Sequence, residues 1–245
     1  EQHSSEQRYP VLYMHDGQNL FNPETAYTGI TWGINEALTM LIEAADVPEP
    51  IVVGIWNGEA RRRQEYMPQR PFDSPKGAEM IAQHPDEIHL PIESDSYLRF
   101  IVTELKPFID KEYRTRPEQE HTTIMGSSMG GLISLYALCE YPDVFSAAGC
   151  LSTHWPPVHT VFLDYLHDHL PTPGRHRLYF DYGTETLDAH YEQYQNIIDD
   201  LLRDHGYTEG QNWLTLRFEG ADHSEKAWRE RIHVPLKFVL WFFGI

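Results

Sequence analysis

The chain has 245 residues, of which 41% are hydrophobic and 13% aromatic, a composition that supports a globular core and excludes a disordered or fibrous chain. It carries 19 basic and 37 acidic residues, so its formal net charge of -18 disfavours binding to a polyanion such as DNA. No apolar run reaches the roughly 18 to 20 residues that a transmembrane helix requires. We therefore expect no nucleic-acid partner and no membrane partner.

In chain order, short β-like runs alternate with amphipathic helical patterns, which is typical of an α/β fold with a mostly parallel sheet. The predicted strands are 11–15, 51–56, 122–125, 145–151, 177–181 and 213–218. The predicted helices are 34–42, 97–109, 129–140 and 191–202, and a last helix begins near residue 225. The apolar run IVVGIW at 51–56 predicts a buried central strand. The length predicts a single domain over 1–245.

The stretch 57–96 interrupts this alternation, because it is irregular and contains several prolines. Loops of this length are usually functional or disordered, so we predict a lid or a substrate-binding insertion. A solvated insertion without a role is the alternative. Its basic triplet Arg61, Arg62 and Arg63 could attract an anionic substrate, although a run of like charges is more often a solvated surface.

The strongest local motif is Gly126-Ser127-Ser128-Met129-Gly130, a G-x-S-x-G between a predicted strand and a predicted helix. A sharp turn at this place holds a serine hydroxyl out at the top of the sheet, and the flanking glycines let strand and helix approach closely. The helix N-terminus behind the serine also favours developing negative charge. Ser128 satisfies the spacing and Ser127 does not, so Ser128 is the predicted nucleophile.

A serine nucleophile needs a base and an acid, which follow it in the order acid then histidine in an α/β-hydrolase. Of the 14 histidines, only His223 lies between the last predicted strand and the last predicted helix, so it is the predicted base. The acid should follow strand 177–181, where both Glu185 and Asp188 qualify and Asp181 comes too early. We favour Asp188 because it stands at a loop-to-helix transition, where it would otherwise serve as an N-cap.

An oxyanion hole needs two backbone N–H donors. Met129 is the predicted first donor because it follows the nucleophile, and the loop after the first strand should supply the second. Gln18 is the predicted donor in that loop, since Gly17 lets the backbone turn towards the site. Four further residues end near the same face and are candidates either for the pocket wall or for the core: Trp32, Trp56, His154 and Trp155.

No metal and no organic cofactor is expected. His167-Asp168-His169 lacks a further spaced ligand set, and no phosphate-binding glycine motif occurs. Two cysteines in apolar segments, Cys139 and Cys150, favour a reducing compartment such as the cytoplasm. The chain begins without methionine, so we expect that an N-terminal piece, with or without a targeting signal, is missing. The sequence leaves the oligomeric state open, with a homodimer as one candidate.

Several blocks together resemble one family: YPVLYMHDGQNLF, IVVGI, GSSMGGLISLYAL, YPDVFSAAGCLS, DYGTETLDAHY and GADHSEKAW. Over residues 8–243 the chain is similar to the Putative esterase family of α/β-hydrolases, which groups S-formylglutathione hydrolases (esterase D), feruloyl and acetyl-xylan esterases, enterobactin esterases and mycolyltransferases. The resemblance implies an α/β-hydrolase fold, with Ser128 as nucleophile and His223 as base. Many relatives place the acid three residues after the glycine, where Thr186 stands here, so Asp188 and Glu185 both remain open. Relatives also carry one or two antiparallel strands before YPVLY, for which this chain has no room.

The expected function is that of a serine carboxylesterase, which hydrolyses a small-molecule ester through an acyl-enzyme on Ser128. An acyltransferase with the same triad is one alternative. A non-catalytic binding module is another, but it predicts loss of the serine, the histidine or the acid, and all three are present.

Overall fold

The computed structural model describes residues 6–86 and 88–241. Within them, six strands form one sheet in the order β2-β1-β3-β4-β5-β6, and every neighbouring pair is parallel. The strands are β1 (Val11–His15), β2 (Ile51–Ile55), β3 (Thr122–Ser127), β4 (Ala147–Leu151), β5 (Arg177–Gly183) and β6 (Trp213–Phe218). Because the strands are parallel, their carboxyl ends meet at one edge of the sheet, and the predicted site residues follow those ends. The α/β-hydrolase type of fold is confirmed.

Ten α-helices accompany the sheet in the described part of the chain. They are α1 (Ile34–Glu43), α2 (Arg62–Tyr66), α3 (Pro75–Gln83), α4 (Ser94–Phe100), α5 (Lys106–Glu112), α6 (Met129–Glu140), α7 (His159–His169), α8 (Glu192–Asp204), α9 (Glu225–Arg231) and α10 (His233–Leu240). A π-helical segment, Ile101–Leu105, joins α4 to α5, so the predicted helix 97–109 is one continuous helical stretch. The predicted last helix is divided into α9 and α10.

The sheet separates two apolar layers, as the alternation along β1 shows. Tyr13 faces a cluster that contains α4 to α8, whereas Leu12 and Met14 face a cluster with α1, α9 and α10. Helix α6 is buried on all sides except at Glu140, because it packs on β3 and β4 and is covered by α2 and α7. This central position makes the start of α6, next to Ser128, one of the most firmly held points in the fold.

Two expectations about the second strand and the segment after it are wrong. Strand β2 is an edge of the described sheet rather than a central strand, and four of its five residues are partly exposed. An apolar run indicates that side chains pack on the two faces of a strand. It does not indicate whether another strand pairs with the backbone on each side. The segment 57–96 contains α2, α3, the first residues of α4 and two 3-10 turns instead of irregular chain. These elements are too short to produce a readable helical period.

Candidate active site

The turn between β3 and α6 holds Ser128 in a strained conformation. Its φ of 57° and ψ of -122° lie outside the regions that non-glycine residues favour, and its N–H donates to the Leu151 carbonyl at 2.8 Å. A Cβ added to Gly126 would lie 2.8 Å from the backbone of Gly130, so the approach of strand and helix requires a glycine there. The turn therefore presents the Ser128 hydroxyl at the carboxyl edge of the sheet.

His223 bridges Ser128 and Asp188 through its two ring nitrogens. Its Nε2 lies 2.9 Å from Ser128 Oγ, and its Nδ1 lies 2.6 Å from Asp188 Oδ1. Because an ionised carboxylate only accepts hydrogen bonds, Nδ1 carries the proton and Nε2 is the acceptor towards Ser128. The three residues that the sequence favoured thus come together from loops that follow β3, β5 and β6.

The structure brings Asp188 to His223 and leaves Glu185 apart. Asp188 is fully buried in the 3-10 turn Thr186–His190, whereas Glu185 is exposed and holds the Ala221 carbonyl through its backbone N–H. Thr186, which stands where many relatives place the acid, accepts the His223 backbone N–H on its hydroxyl at 2.9 Å. It therefore anchors the loop that carries His223.

The Asp188 carboxylate is held by groups other than His223 as well. Its Oδ2 accepts the Gly183 N–H at 2.7 Å and the Ser152 hydroxyl at 2.6 Å. Burial raises the pKa of Asp188, but the hydrogen bonds from His223, Ser152 and Gly183 outweigh this effect and hold the pKa below its ordinary value. Asp188 is therefore ionised and can stabilise a charged imidazole.

Three buried residues behind Asp188 were not identified from the sequence. Ser152 Oγ accepts from Arg231 Nη2 at 2.7 Å and from Trp228 Nε1 at 3.0 Å, so its own proton is directed at Asp188. Arg231 Nη2 also donates to Asp181 Oδ1 at 3.0 Å and lies 3.9 Å from Asp188 Oδ2. The only sequence signal was weak: Trp228 and Arg231 share a helix face at i, i+3 spacing. Asp181 acts here as a partner of Arg231.

The two predicted oxyanion donors lie at the same end of the sheet. Met129 is the first residue of α6, so its N–H has no acceptor within the helix. Gln18 lies in the 3-10 turn Gly17–Asn19. Asp16 directly precedes this turn and has a φ of 56°. A Cβ on Gly17 would lie 2.4 Å from the backbone of Gly54, so this turn packs directly on β2. Gln18 and Ser128 line one cavity.

That cavity has a volume of about 700 Å³ and opens beside Ser128 and His223. Trp32 and Trp56 line it, which agrees with the pocket-wall alternative for these two residues. Trp155 instead is buried in the core, and His154 Nδ1 lies 2.7 Å from the Tyr191 hydroxyl. Burial lowers the pKa of His154 to about 4, with a further contribution from nearby His223.

The arginine triplet is divided among different partners. Arg62 makes a two-pronged pair with Asp16, with its Nε and Nη2 each 2.8 Å from a carboxylate oxygen. Burial raises the pKa of Asp16, but Arg62 and Asn57 outweigh it and leave the pKa below its ordinary value. Arg61 pairs with Glu93, and Arg63 is exposed.

The described residues, 6–86 and 88–241, bear on three further features: metal ligands, cysteine pairing and membrane-spanning helices. These residues contain no group of three or more histidine, cysteine or acidic side chains placed to hold a metal ion. Cys139 and Cys150 are buried and unpaired with each other. None of the helices described is both long enough and apolar enough to cross a bilayer.

The chain is similar to proteins whose names include esterases. Among curated proteins, uncharacterized protein YbbA of Bacillus subtilis (strain 168) is 24% identical over 243 residues, which are 96% of this chain and 86% of that protein. Ferri-bacillibactin esterase BesA of the same strain is 31% identical over 151 residues, which are 60% of this chain and 49% of BesA.

Solved structures agree in fold at low identity. The enterobactin esterase FES from Shigella flexneri superposes with a TM-score of 0.69 at 17% identity, over 95% of this chain and 51% of that one. The BES protein from Bacillus cereus gives a TM-score of 0.65 at 19% identity, over 98% of this chain and 86% of that one. The chain therefore spans about half the length of BesA and of FES.

A family model described as Putative esterase matches residues 1–238, which is nearly the whole chain. Together with the fold, this match supports an esterase or hydrolase function. The chain belongs to the Putative esterase family.

Proposed function

We propose that the protein is a serine carboxylesterase that hydrolyses a small-molecule ester through an acyl-enzyme on Ser128. The observation that carries the proposal is the unbroken chain of hydrogen bonds from Ser128 Oγ through His223 to Asp188, at the edge of a cavity of about 700 Å³. A buried, ionised acid, an imidazole that accepts through Nε2 and a serine hydroxyl that lines the cavity are the three parts that such a mechanism needs.

In the first half-reaction, Ser128 Oγ attacks the ester carbonyl carbon while His223 Nε2 takes the hydroxyl proton. Asp188 stabilises the imidazolium that forms and keeps the ring in the required orientation. The tetrahedral intermediate collapses when the bond to the alcohol oxygen breaks, and His223 returns the proton to that oxygen. Water then repeats the sequence on the acyl-enzyme, which releases the carboxylic acid and restores Ser128.

The negative charge on the intermediate would be stabilised by the backbone N–H groups of Met129 and Gln18. The Met129 N–H stands at the start of a buried helix, where the helix dipole favours negative charge. Support for Gln18 comes from its place in the cavity wall and from the close packing of its turn on β2. Rigid donors of this kind act without reorganisation during the reaction.

Segment 57–96 would bind part of the substrate as an insertion of the same catalytic domain. Asn57, Glu59 and Arg62 all line the cavity, and Arg62 ties the segment to Asp16 beside the turn of Gln18. The segment thus contributes to the cavity wall without contributing to the triad.

The test compares Ser128→Ala with Ser127→Ala on p-nitrophenyl acetate, butyrate and octanoate. The two serines are adjacent, but only Ser128 contacts His223, so Ser127→Ala is a matched control for the integrity of the turn. We expect Ser128→Ala to lose at least roughly 10⁴-fold in kcat and Ser127→Ala to lose far less. The trend with acyl length would measure how much of the cavity the acyl group fills.

Activity that survives in folded Ser128→Ala would remove Ser128 as the nucleophile. A rapid release of nitrophenol equal to the amount of enzyme, followed by a slower steady rate, would support the acyl-enzyme. Loss of activity in Ser127→Ala to the same extent would instead indicate that the turn itself was damaged.

A further inference from the structure

The cavity beside Ser128 is unevenly charged. Three carboxylates line it, those of Asp16, Glu59 and Glu225, against one guanidinium, that of Arg62. Among the described residues, the acidic and arginine side chains of the wall thus leave an excess of two negative charges. A concave wall with one sign of charge raises the local concentration of ligands with the opposite sign.

Arg62 is not free to receive an anion. Both of its prongs are bound to the Asp16 carboxylate at 2.8 Å, and its guanidinium lies 5.0 Å from the centre of the Tyr66 ring. Glu225 is close enough to Arg62 to interact with its charge, so one cation is shared between two carboxylates. A substrate anion would have to share this guanidinium with Asp16, which already holds two of its three nitrogens and neutralises its charge.

The neighbouring cations do not change this balance. Arg61 is paired with Glu93, and Arg63 is exposed and is not part of the cavity wall. Glu59 is exposed, and Glu225 is half-buried with a weak hydrogen bond of 3.4 Å from the Thr28 hydroxyl. Both glutamates therefore present charge to whatever enters the cavity.

Aromatic rings provide the second feature of the wall. Tyr27 is 86% exposed and Trp56 is 63% exposed, whereas Trp32 and Trp228 are buried deeper along the same wall. Exposed large rings next to carboxylates form a surface that suits a cationic or an aromatic group, because ring faces attract cations and other rings.

Resting on the proposed function, we propose that the substrate is an ester whose group in this cavity carries a positive charge on or beside an apolar or aromatic body, such as an ammonium. A neutral group of the same shape would react more slowly and an anionic group slowest. The cation would meet Glu59, Glu225, Tyr27 and Trp56. A carboxylate would meet the same two glutamates, and the one cationic side chain in the described part of the cavity wall, Arg62, is already paired with Asp16.

The test uses two series of esters, each built on one scaffold, in which the cationic and the neutral group have the same shape. In the first, phenyl acetate carries para-trimethylammonio, para-tert-butyl or para-carboxylate groups, so the charge lies on the alcohol part. In the second, the same groups are carried by phenylacetic acid esterified to p-nitrophenol, so the charge lies on the acyl part. Each kcat/KM is divided by the rate constant of the same ester with hydroxide, which removes differences in intrinsic reactivity.

We expect the cationic ester to exceed the anionic one by at least about tenfold in one series or both at low salt. The ratio should shrink towards one as ionic strength rises to about 1 M, where the screening length is about 3 Å. Glu59→Gln and Glu225→Gln should each reduce the ratio by roughly twofold to fivefold. Glu104→Gln, which removes an exposed carboxylate that does not line the cavity, should leave the ratio unchanged.

Equal or reversed preference in both series would overturn the inference and leave the proposed function intact. A binding measurement keeps the two separable, since Ser128→Ala should still bind phenyltrimethylammonium more tightly than benzoate, as followed by tryptophan fluorescence. If no ester is hydrolysed but the cation binds more tightly, the proposed function fails and the charge preference stands. If benzoate binds equally well or better, the inference fails whatever the activity.

Discussion

Two carboxylates flank the Ser128–His223 pair, and they are held in different ways. Asp188 is bound by residues that follow strands or lie on regular elements: Gly183 ends β5, Ser152 follows β4, and Arg231 ends α9. Asp16 is equally buried, but its partners Asn57 and Arg62 belong to the segment 57–96 that lines the cavity. The carboxylate beside His223 is thus held by residues next to the sheet, and the carboxylate beside the turn of Gln18 is held by the segment 57–96.

The sharpest test of this difference is at the acid itself. Asp188→Asn keeps the shape of the side chain but favours the wrong imidazole tautomer, so we expect kcat to fall by roughly 10⁴-fold. Glu185→Gln is the matched control, because Glu185 is exposed and makes no contact with His223 among the hydrogen bonds described. A large loss in the Glu185 variant with activity retained in the Asp188 variant would reverse the assignment.

The buried support of Asp188 should be costly to break. Arg231→Met leaves Asp181 without its cation inside the protein, so we expect the free energy of unfolding to fall by about 3 to 5 kcal/mol. Lys237 on α10 forms an exposed ion pair with Asp46, so Lys237→Met should lower the free energy of unfolding by less than about 1 kcal/mol. Denaturant titration measures both. Ser152→Ala provides a milder probe of the same support, and a wild-type kcat in that variant would show that Asp188 does not need it.

His15, which ends β1 just before Asp16, should make the protein sensitive to acid. Burial lowers the pKa of His15 to about 3, below the value of about 6.5 in an unfolded chain. Between these values the unfolded state binds one more proton, so stability is complete above the unfolded pKa and falls by about 1.4 kcal/mol per pH unit below it.

The variant for this test is His15→Asn, whose side-chain amide replaces Nδ1 opposite the Tyr97 hydroxyl, 2.7 Å away. We expect wild type and variant to converge in unfolding free energy as the pH decreases from about 6.5 to 5, by about 2 kcal/mol in total. Parallel stability curves over that range would show that His15 does not titrate in this way.

The smallest expected effect concerns the insertion side. Arg62→Lys keeps the charge but cannot hold both Asp16 oxygens, so the turn of Gln18 becomes less firmly positioned. We expect kcat to fall by about tenfold, and the free energy of unfolding to fall by less than in Arg231→Met, because the positive charge stays beside Asp16. Arg63→Lys is the control, since its guanidinium is exposed and does not line the cavity. Equal kcat in the two variants would show that the pair between Arg62 and Asp16 does not affect catalysis.

Local features were readable in the sequence because each depends on residues that are close along the chain. The G-x-S-x-G turn needs only Gly126, Ser128 and Gly130, and the alternation of apolar residues reports strand and helix faces within each element. The position of His223 after the last strand follows from chain order alone. These features were enough to predict the fold and to select the serine and the histidine that the structure brings to 2.9 Å from each other.

What only the tertiary structure decided involves residues far apart along the chain. Asp188 and Glu185 both follow β5, and the contact with His223, 35 residues from Asp188, distinguishes them. The link from Arg231 to Ser152 spans 79 residues, and that from Arg62 to Asp16 spans 46. The edge position of β2 likewise depends on which strands pair. Such contacts arise from the packing of whole elements, and no local periodicity or turn preference encodes them.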